Sequence, residues 1–463
     1  MRNVFYSETK RTRRDMVLAF GLAAIIFALL LFGIQGATKP THAATTFTVT
    51  STEDANDTNL GDGLCDANPI PNVLTCTLRA AIQQANVLAG ADTINFNIPD
   101  DPGIPGSEVK TISPDSELPN IDDQVTINGY SQPGAKANTL AVGTNAVLKI
   151  ELDGSDAGPS SSGFSIRASD CVVKGMAINR FRSNGISIGT LGADPEQGNR
   201  IAGNFIGTDP SGTVDLGNVG RGISILGEDT SGNTIGGSRP AGRNLISGNE
   251  WGGVGIAAGA SENAVMGNLI GTRANGTGAL GNTESGVSIL GGASENLVGG
   301  TLPEDANTIA FNGGGVVVLR EDSTGNSIMR NSMFSNDHAG IDLGGDSPTP
   351  NDPGDGDDGP NNLQNKPRLG LAENSVTETT VQGTLDSTPN ETFKIRFFSN
   401  PAGDPLEGKI YIGAKNVTTD AGGNDTFTFK PGNKVPAGRT ITATATRNSK
   451  GDTSEFSEPE EVV

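Results

Sequence analysis

The chain has 463 residues, with 32 Lys+Arg against 53 Asp+Glu and a formal net charge of −21. Such an acidic balance repels nucleic acid and anionic lipid, which excludes nucleic-acid binding, and it suits a solvated protein that meets divalent cations. With His42 and His338 as the only histidines, His-rich metal sites are excluded as well.

In chain order, the first element is a targeting segment, residues 1–43. Arg2, Lys10, Arg11, Arg13 and Arg14 lead into an uncharged, mostly apolar run from Met16 to Ile34, the n-region and h-region of an export signal. Small residues at Thr41 and Ala43 place cleavage before Ala44. An uncleaved membrane anchor through residues 16–34 is the other reading, because a run of that length just spans a bilayer. Either one sends the rest of the chain out of the cytoplasm. Removing residues 1–43 leaves 26 basic and 51 acidic side chains, a net charge of −25.

Residues 44–92 open with the strand "FTVTS" and continue into an Asp/Gly-rich loop around Asp54, Asp57 and Asp62. Cys65 and Cys76 lie close together in a chain bound for an oxidising compartment, so they are expected to pair as a disulfide. One amphipathic helix follows. Leu78, Ala81, Ile82, Ala85 and Leu88 fall on one face, with Thr77 as N-cap and Gly90 as stop. Ahead of many strands, it reads as a lid over the open end of a solenoid.

Residues 93–345 carry short β-branched strands separated by Gly, Asn, Asp and Ser, with no helix long enough for a βαβ crossover. The pattern Asn, any residue, Ile or Val, any two residues, Asn recurs at Asn199–Asn204, Asn244–Asn249, Asn263–Asn268, Asn307–Asn312 and Asn326–Asn331. A longer copy relates residues 199–227 to 263–291 at an offset of 64, with 16 of 29 positions identical. Self-similarity of this kind means stacked units sharing one core, here a right-handed parallel β-helix. Each Asn is expected at a coil corner, hydrogen-bonded to its copy about 4.8 Å away in the next coil. Cys171 aligns with Asn263 and Met176 with Asn268, so Cys171 reads as a buried repeat position. The insertions at 208–218 and 272–282 are expected to project from one side.

The Asp/Gly/Pro-rich segment 346–366 reads as a linker, and residues 367–463 as a separate antiparallel β-sandwich of Ig or fibronectin type. The whole is an all-β chain.

At this point the sequence resembles a known family. "TSTEDANDTNLGDGLC", "CTLRAAIQQAN" and "ADTINFNIP" are similar to the domain named for its Cys-Ser-Leu-Arg-Glu-Ala motif. That domain begins secreted bacterial parallel β-helix proteins. The motif stands here as Cys76-Thr77-Leu78-Arg79-Ala80-Ala81, with Thr for Ser and Ala for Glu, and the resemblance continues through "NGYSQPG", "GIDLGGD" and "GPNNLQNKP". It implies fold and export, and brings no catalytic residues.

Chemistry is sparse. Alternation in "GISI", "GVSI" and their copies places Ser187, Ser224, Gly255, Ser288, Val317 and Asp342 in one outward column. Gly185, Gly222, Gly253, Gly286, Gly315 and Gly340 form a second. Neither holds the paired carboxylates of a glycoside hydrolase or the base and acidic metal site of a lyase. Arg320, Asp337, His338 and Asp342 fall in successive coils near the solenoid's end, where they read either as a catalytic cluster with His338 as base or as polar end-coil residues under the next domain. Asp352, Asp355, Asp357 and Asp358 offer hard oxygen ligands for Ca²⁺, or simply solvate a linker; the Asp54, Asp57 and Asp62 loop is a lesser candidate of the same kind. Trp251, Tyr130 and Tyr411 are few for a sugar platform. Together these residues point to an exported, non-enzymatic surface or adhesion protein with an extracellular partner, glycan or protein. The alternatives are a polysaccharide lyase or hydrolase acting at the solenoid's end, and a Ca²⁺-dependent surface-layer module.

Overall fold

The computed structural model describes residues 43–68, 75–100, 108–190, 195–402 and 406–463. The expected export segment lies outside the described residues except for Ala43. Among the described residues no helix is long and apolar enough to cross a membrane. Residues 44–463 form one compact unit.

Three parallel sheets of nine, eight and seven strands make up the solenoid. Consecutive coils pair without offset, so like residues stack: Ile201 on Ile235 in the first sheet, Ile206 on Ile246 in the second, Ile223 on Val254 in the third. These stacks are buried and fill one continuous core. Strands buried this way need no amphipathic alternation beyond the corner residues. The first strand, Thr46–Val49, already pairs with Asp92–Phe96, so the solenoid begins inside the segment read as an N-terminal cap.

The corners are stitched by asparagine. Asn199, Asn233, Asn263, Asn296, Asn326 and Asn361 form one ladder, each backbone N–H donating to the side-chain oxygen of the next at 2.9–3.1 Å. A second runs through Asn204, Asn244, Asn268, Asn307 and Asn331, and a third through Asn218, Asn249, Asn282, Asn312 and Asn336. The Nδ2 groups donate onward to the next oxygen or to a buried carbonyl, as Asn268 does to Asn307 and to Ile235. Nearly every amide in these dry corners is thereby satisfied, the exception in the ladders being Asn199 Nδ2, which has no acceptor. Cys171, Met176 and Phe181 begin the ladders: their N–H groups donate to Asn199, Asn204 and Asn218. The Cys171 thiol is buried, and desolvation pushes its pKa up to about 11.

Both ends are closed. Cys65 and Cys76 are disulfide-bonded. The helix Leu78–Val87 follows, capped by the Thr77 hydroxyl, which accepts from Ala80 N at 3.0 Å. Its buried Leu78, Ala81, Ile82 and Ala85 join the core with Phe47, Val49 and Ile94. At the other end lies a seven-stranded antiparallel sandwich, whose three- and four-stranded sheets take the strand order of Ig and fibronectin domains. This sandwich is docked on the last coil. Phe398 and Phe456 enter the solenoid core, Met333 N donates to Gly408 O at 3.0 Å, and Arg330 lies 4.1 Å over the Tyr411 ring. The Glu407 carboxylate terminates the third ladder by accepting from both Asn336 N and Nδ2.

The insertions at 208–218 and 272–282 do sit on one side, but they lie flat across the second sheet instead of projecting. Ala274 N donates to Gly212 O at 2.9 Å, and Thr144 N to Ala274 O at 2.7 Å. Beneath them Ala177, Phe205, Leu245 and Leu269 form a second buried apolar cluster on the sheet's outer face.

Candidate functional site

The Gly185 column does not face outward. A Cβ on Gly185 would lie 2.6 Å from Ile206 Cγ2, one on Gly222 2.5 Å from Ile246, and one on Gly253 2.7 Å from Ile270. These glycines turn inward at the corner where the third sheet meets the second, and a side chain there would collide with the core. The other column is outward in register: Ser187, Ser224, Gly255, Ser288, Val317 and Asp342 pair rung by rung. Arg221 lies across it at Gly255, where a Cβ would sit 2.3 Å from Arg221 Cδ.

Of the four residues proposed as a catalytic cluster, three share a cleft. Asp337, His338 and Asp342 line a cavity of about 550 Å³ with Glu284 and Asp346, and the sandwich contributes Leu406 to its wall. The sandwich does not bury them: Asp337 and His338 are exposed. Asp342 is fixed by accepting from Gly345 N at 3.0 Å and Ser347 N at 3.3 Å. Arg320 is not part of this cleft. It follows the strand Gly314–Leu319 at its far end, across the width of the third sheet.

Asp352, Asp355 and Asp357 are brought together, each with a carboxylate oxygen within 4.8 Å of the others; Asp358 is exposed and outside the group. Their segment is folded, contrary to its reading as a solvated linker, because its polar groups find partners in the sandwich. Gly354 N donates to Asp386 Oδ1 at 3.0 Å, and Asp355 accepts from Asn365 N at 2.6 Å and Ser387 Oγ at 2.8 Å. Asp352 Oδ1 and Asp357 Oδ1 are buried and receive no hydrogen bond. Burial raises the pKa of Asp355 and of Asp357, and the Asp352 charge adds to both shifts. Three hard oxygens, two of them lacking donors, fit a divalent cation.

The Asp54, Asp57 and Asp62 loop has no such convergence. Asp54 accepts from Nε and Nη2 of buried Arg79 at 2.9 and 2.8 Å, which fixes the loop to the capping helix. Asp57 and Asp62 accept backbone N–H groups of their own loop.

The motif names ten of the sixteen ladder asparagines and misses Asn218, Asn233, Asn282, Asn296, Asn336 and Asn361. Asn233 and Asn296 precede the same Ile or Val as the motif, but 3-10 turns at Pro240–Gly242 and Pro303–Asp305 delay the partner Asn. Asn331–Asn336 has the motif's spacing with Met333 in place of Ile. Asn218 and Asn282 close the "LGN" copies of the insertions. Glu407 carries no local signal.

No family model matches the chain, and no curated protein matches it. Among solved structures the chain is similar to tailspike protein 2 of the Escherichia coli O157:H7 bacteriophage CAB120, at 9% identity, with 80% of this chain aligned to 57% of that one and a TM-score of 0.22. A likeness that low bears on neither fold nor function, which rest on this chain's own strands and side chains.

Proposed function

We propose that the chain is an exported, non-enzymatic scaffold of a cell surface or extracellular matrix, which holds a rigid solenoid out to a glycan or protein partner. The observation that carries this reading is that the same chain closes both ends of the solenoid, with the seven strands of the third sheet stacked in register between them. The disulfide and the resemblance to secreted proteins with the Cys-Ser-Leu-Arg-Glu-Ala-type domain support export. Residues 44–463 displayed on beads are expected to be retained saturably on cells or matrix, and bead retention no greater than that of uncoated beads would overturn the reading.

The cleft at Asp337, His338 and Asp342 favours a second reading, a polysaccharide lyase or hydrolase. Its test is release of new chain ends from a polysaccharide by residues 44–463, abolished by His338→Ala. The carboxylates of Asp352, Asp355 and Asp357 support a third element of the proposal, Ca²⁺ bound where the last coil meets the sandwich.

A further inference from the structure

Trp251 is the chain's only tryptophan, and it is 61% exposed. An indole left in water at the edge of the sheet, beside exposed Glu250 and Glu284, invites a functional reading, because indoles are on average highly buried. Its surroundings supply one. Trp251 stands on the edge of the third sheet in a row tied together by backbone bonds: Trp251 N donates to Gly220 O at 3.1 Å, Gly253 N to Ser285 O at 3.1 Å, Gly313 N to Glu284 O and His338 N to Gly313 O at 2.9 Å each. Three rungs separate Trp251 from His338, about 14 Å at the spacing of paired strands. The row therefore leads from the indole directly into the cleft of Asp337, His338 and Asp342.

The outward column beside this row is small, Ser224, Gly255 and Ser288, and is itself buried, which leaves the exposed side chains of the row as the accessible groups. Arg221 lies over that column at Gly255, its buried Nε without an acceptor in the protein, and the charge of Glu284 acts on its guanidinium. An aromatic face, a guanidinium and a line of carboxylates along one edge make a surface for hydroxyl-rich rings. The indole covers the C–H face of a ring, and the carboxylates accept hydrogen bonds from its hydroxyls. Charge decides which polymer fits. The cleft end carries Glu284, Asp337, Asp342 and Asp346, and the opposite edge of the same sheet has a cavity lined by Glu228, Asp229 and Asp322. Anionic chains meet like charge along both edges.

We propose that the edge of the third sheet from Arg221 through Trp251 to His338 binds a neutral polysaccharide chain, with Trp251 as the stacking anchor. This deepens the adhesion reading above and rests on it for the extracellular setting. The few aromatic residues of the sequence do not count against it, since one fully usable ring can anchor a chain whose other contacts are polar.

Because Trp251 is the sole tryptophan, its emission reports on the site directly. Residues 44–463 would be titrated with cellohexaose and with the hexamer of N-acetylglucosamine, and with hexagalacturonate as the anionic counterpart. A saturable change with a neutral hexamer and none with hexagalacturonate is expected. By calorimetry Trp251→Ala is expected to lose affinity about tenfold or more, while Trp251→Phe keeps most of it, and the thermal midpoints of both variants stay at the wild-type value because the ring is exposed. An unmoved Trp251 emission with both neutral hexamers, or equal affinity in Trp251→Ala, overturns the proposal. If Trp251→Ala keeps full retention on cells, this site is wrong and the adhesion reading stands; if the wild-type chain is not retained at all, the adhesion reading falls, and hexamer binding still decides the site.

Discussion

Asn268 illustrates what one corner residue holds. Its side-chain oxygen accepts from Asn244 N and Nδ2, and its own Nδ2 donates to Ile235 O, Met266 O and Asn307 Oδ1. Asn268→Ala strands the Asn244 amide in a dry corner, and a loss of about 3 kcal/mol in urea unfolding is expected. Asp357 works in the opposite sense. Its pKa in the fold is raised above 3.8, so the native state binds more protons than the unfolded chain between that value and the raised one. Stability of the cation-free protein therefore falls as pH rises through this window, and Asp355 behaves alike. Asp357→Asn is expected to flatten that fall in thermal scans with chelator. Adding Ca²⁺ is expected to raise the wild-type midpoint and leave the Asp357→Asn midpoint where it is.

At the scale of elements, the parallel solenoid was legible because its strands and corners repeat: a β-branched pair and an Asn recur wherever the chain turns. The two insertions were legible as equivalent but not as covers. The overlooked signal lies in the pairs Phe205-Ile206, Leu245-Ile246 and Leu269-Ile270. Adjacent residues of a strand point to opposite faces, so an apolar pair requires both faces of the second sheet to be buried, and the insertions cover the outer one together with Tyr130, Ala146 and Leu148. Leu245→Ala is expected to cost about 3 kcal/mol in stability, with the parallel core left intact. The convergence of Asp352, Asp355 and Asp357 could be anticipated from their spacing, whereas the separation of Arg320 from His338 could not, since it depends on which end of a strand each residue joins. Likewise the inward turn of Gly185 and its copies breaks the alternation of the strand they precede, because the chain is still rounding the corner there.

For the whole molecule, the sandwich and the solenoid are energetically one object. Phe398 and Phe456 belong to the solenoid's core, and Glu407, Asp452 and Glu455 accept backbone N–H groups of the last coils. Such contacts join residues far apart in sequence and leave no local pattern, which is why a boundary near residue 366 looked sharper than the structure makes it. Calorimetry of residues 44–463 is expected to give a single unfolding transition, with calorimetric and van't Hoff enthalpies in agreement, in place of one transition per domain. The long copy also takes on a meaning. Its offset of 64 residues covers two coils, one with an insertion over the second sheet and one with a 3-10 turn before it. The ladder bonds from Asn backbone N–H to Asn side-chain oxygen all run in one direction, each oxygen accepting from the coil before and each N–H donating to the coil after, so a coil pair has identical connectors at its two ends. Length is thereby separable from termination: whole pairs could be added or removed between the helix and the sandwich, moving the two ends apart or together by about 10 Å each time while both closures stay as they are.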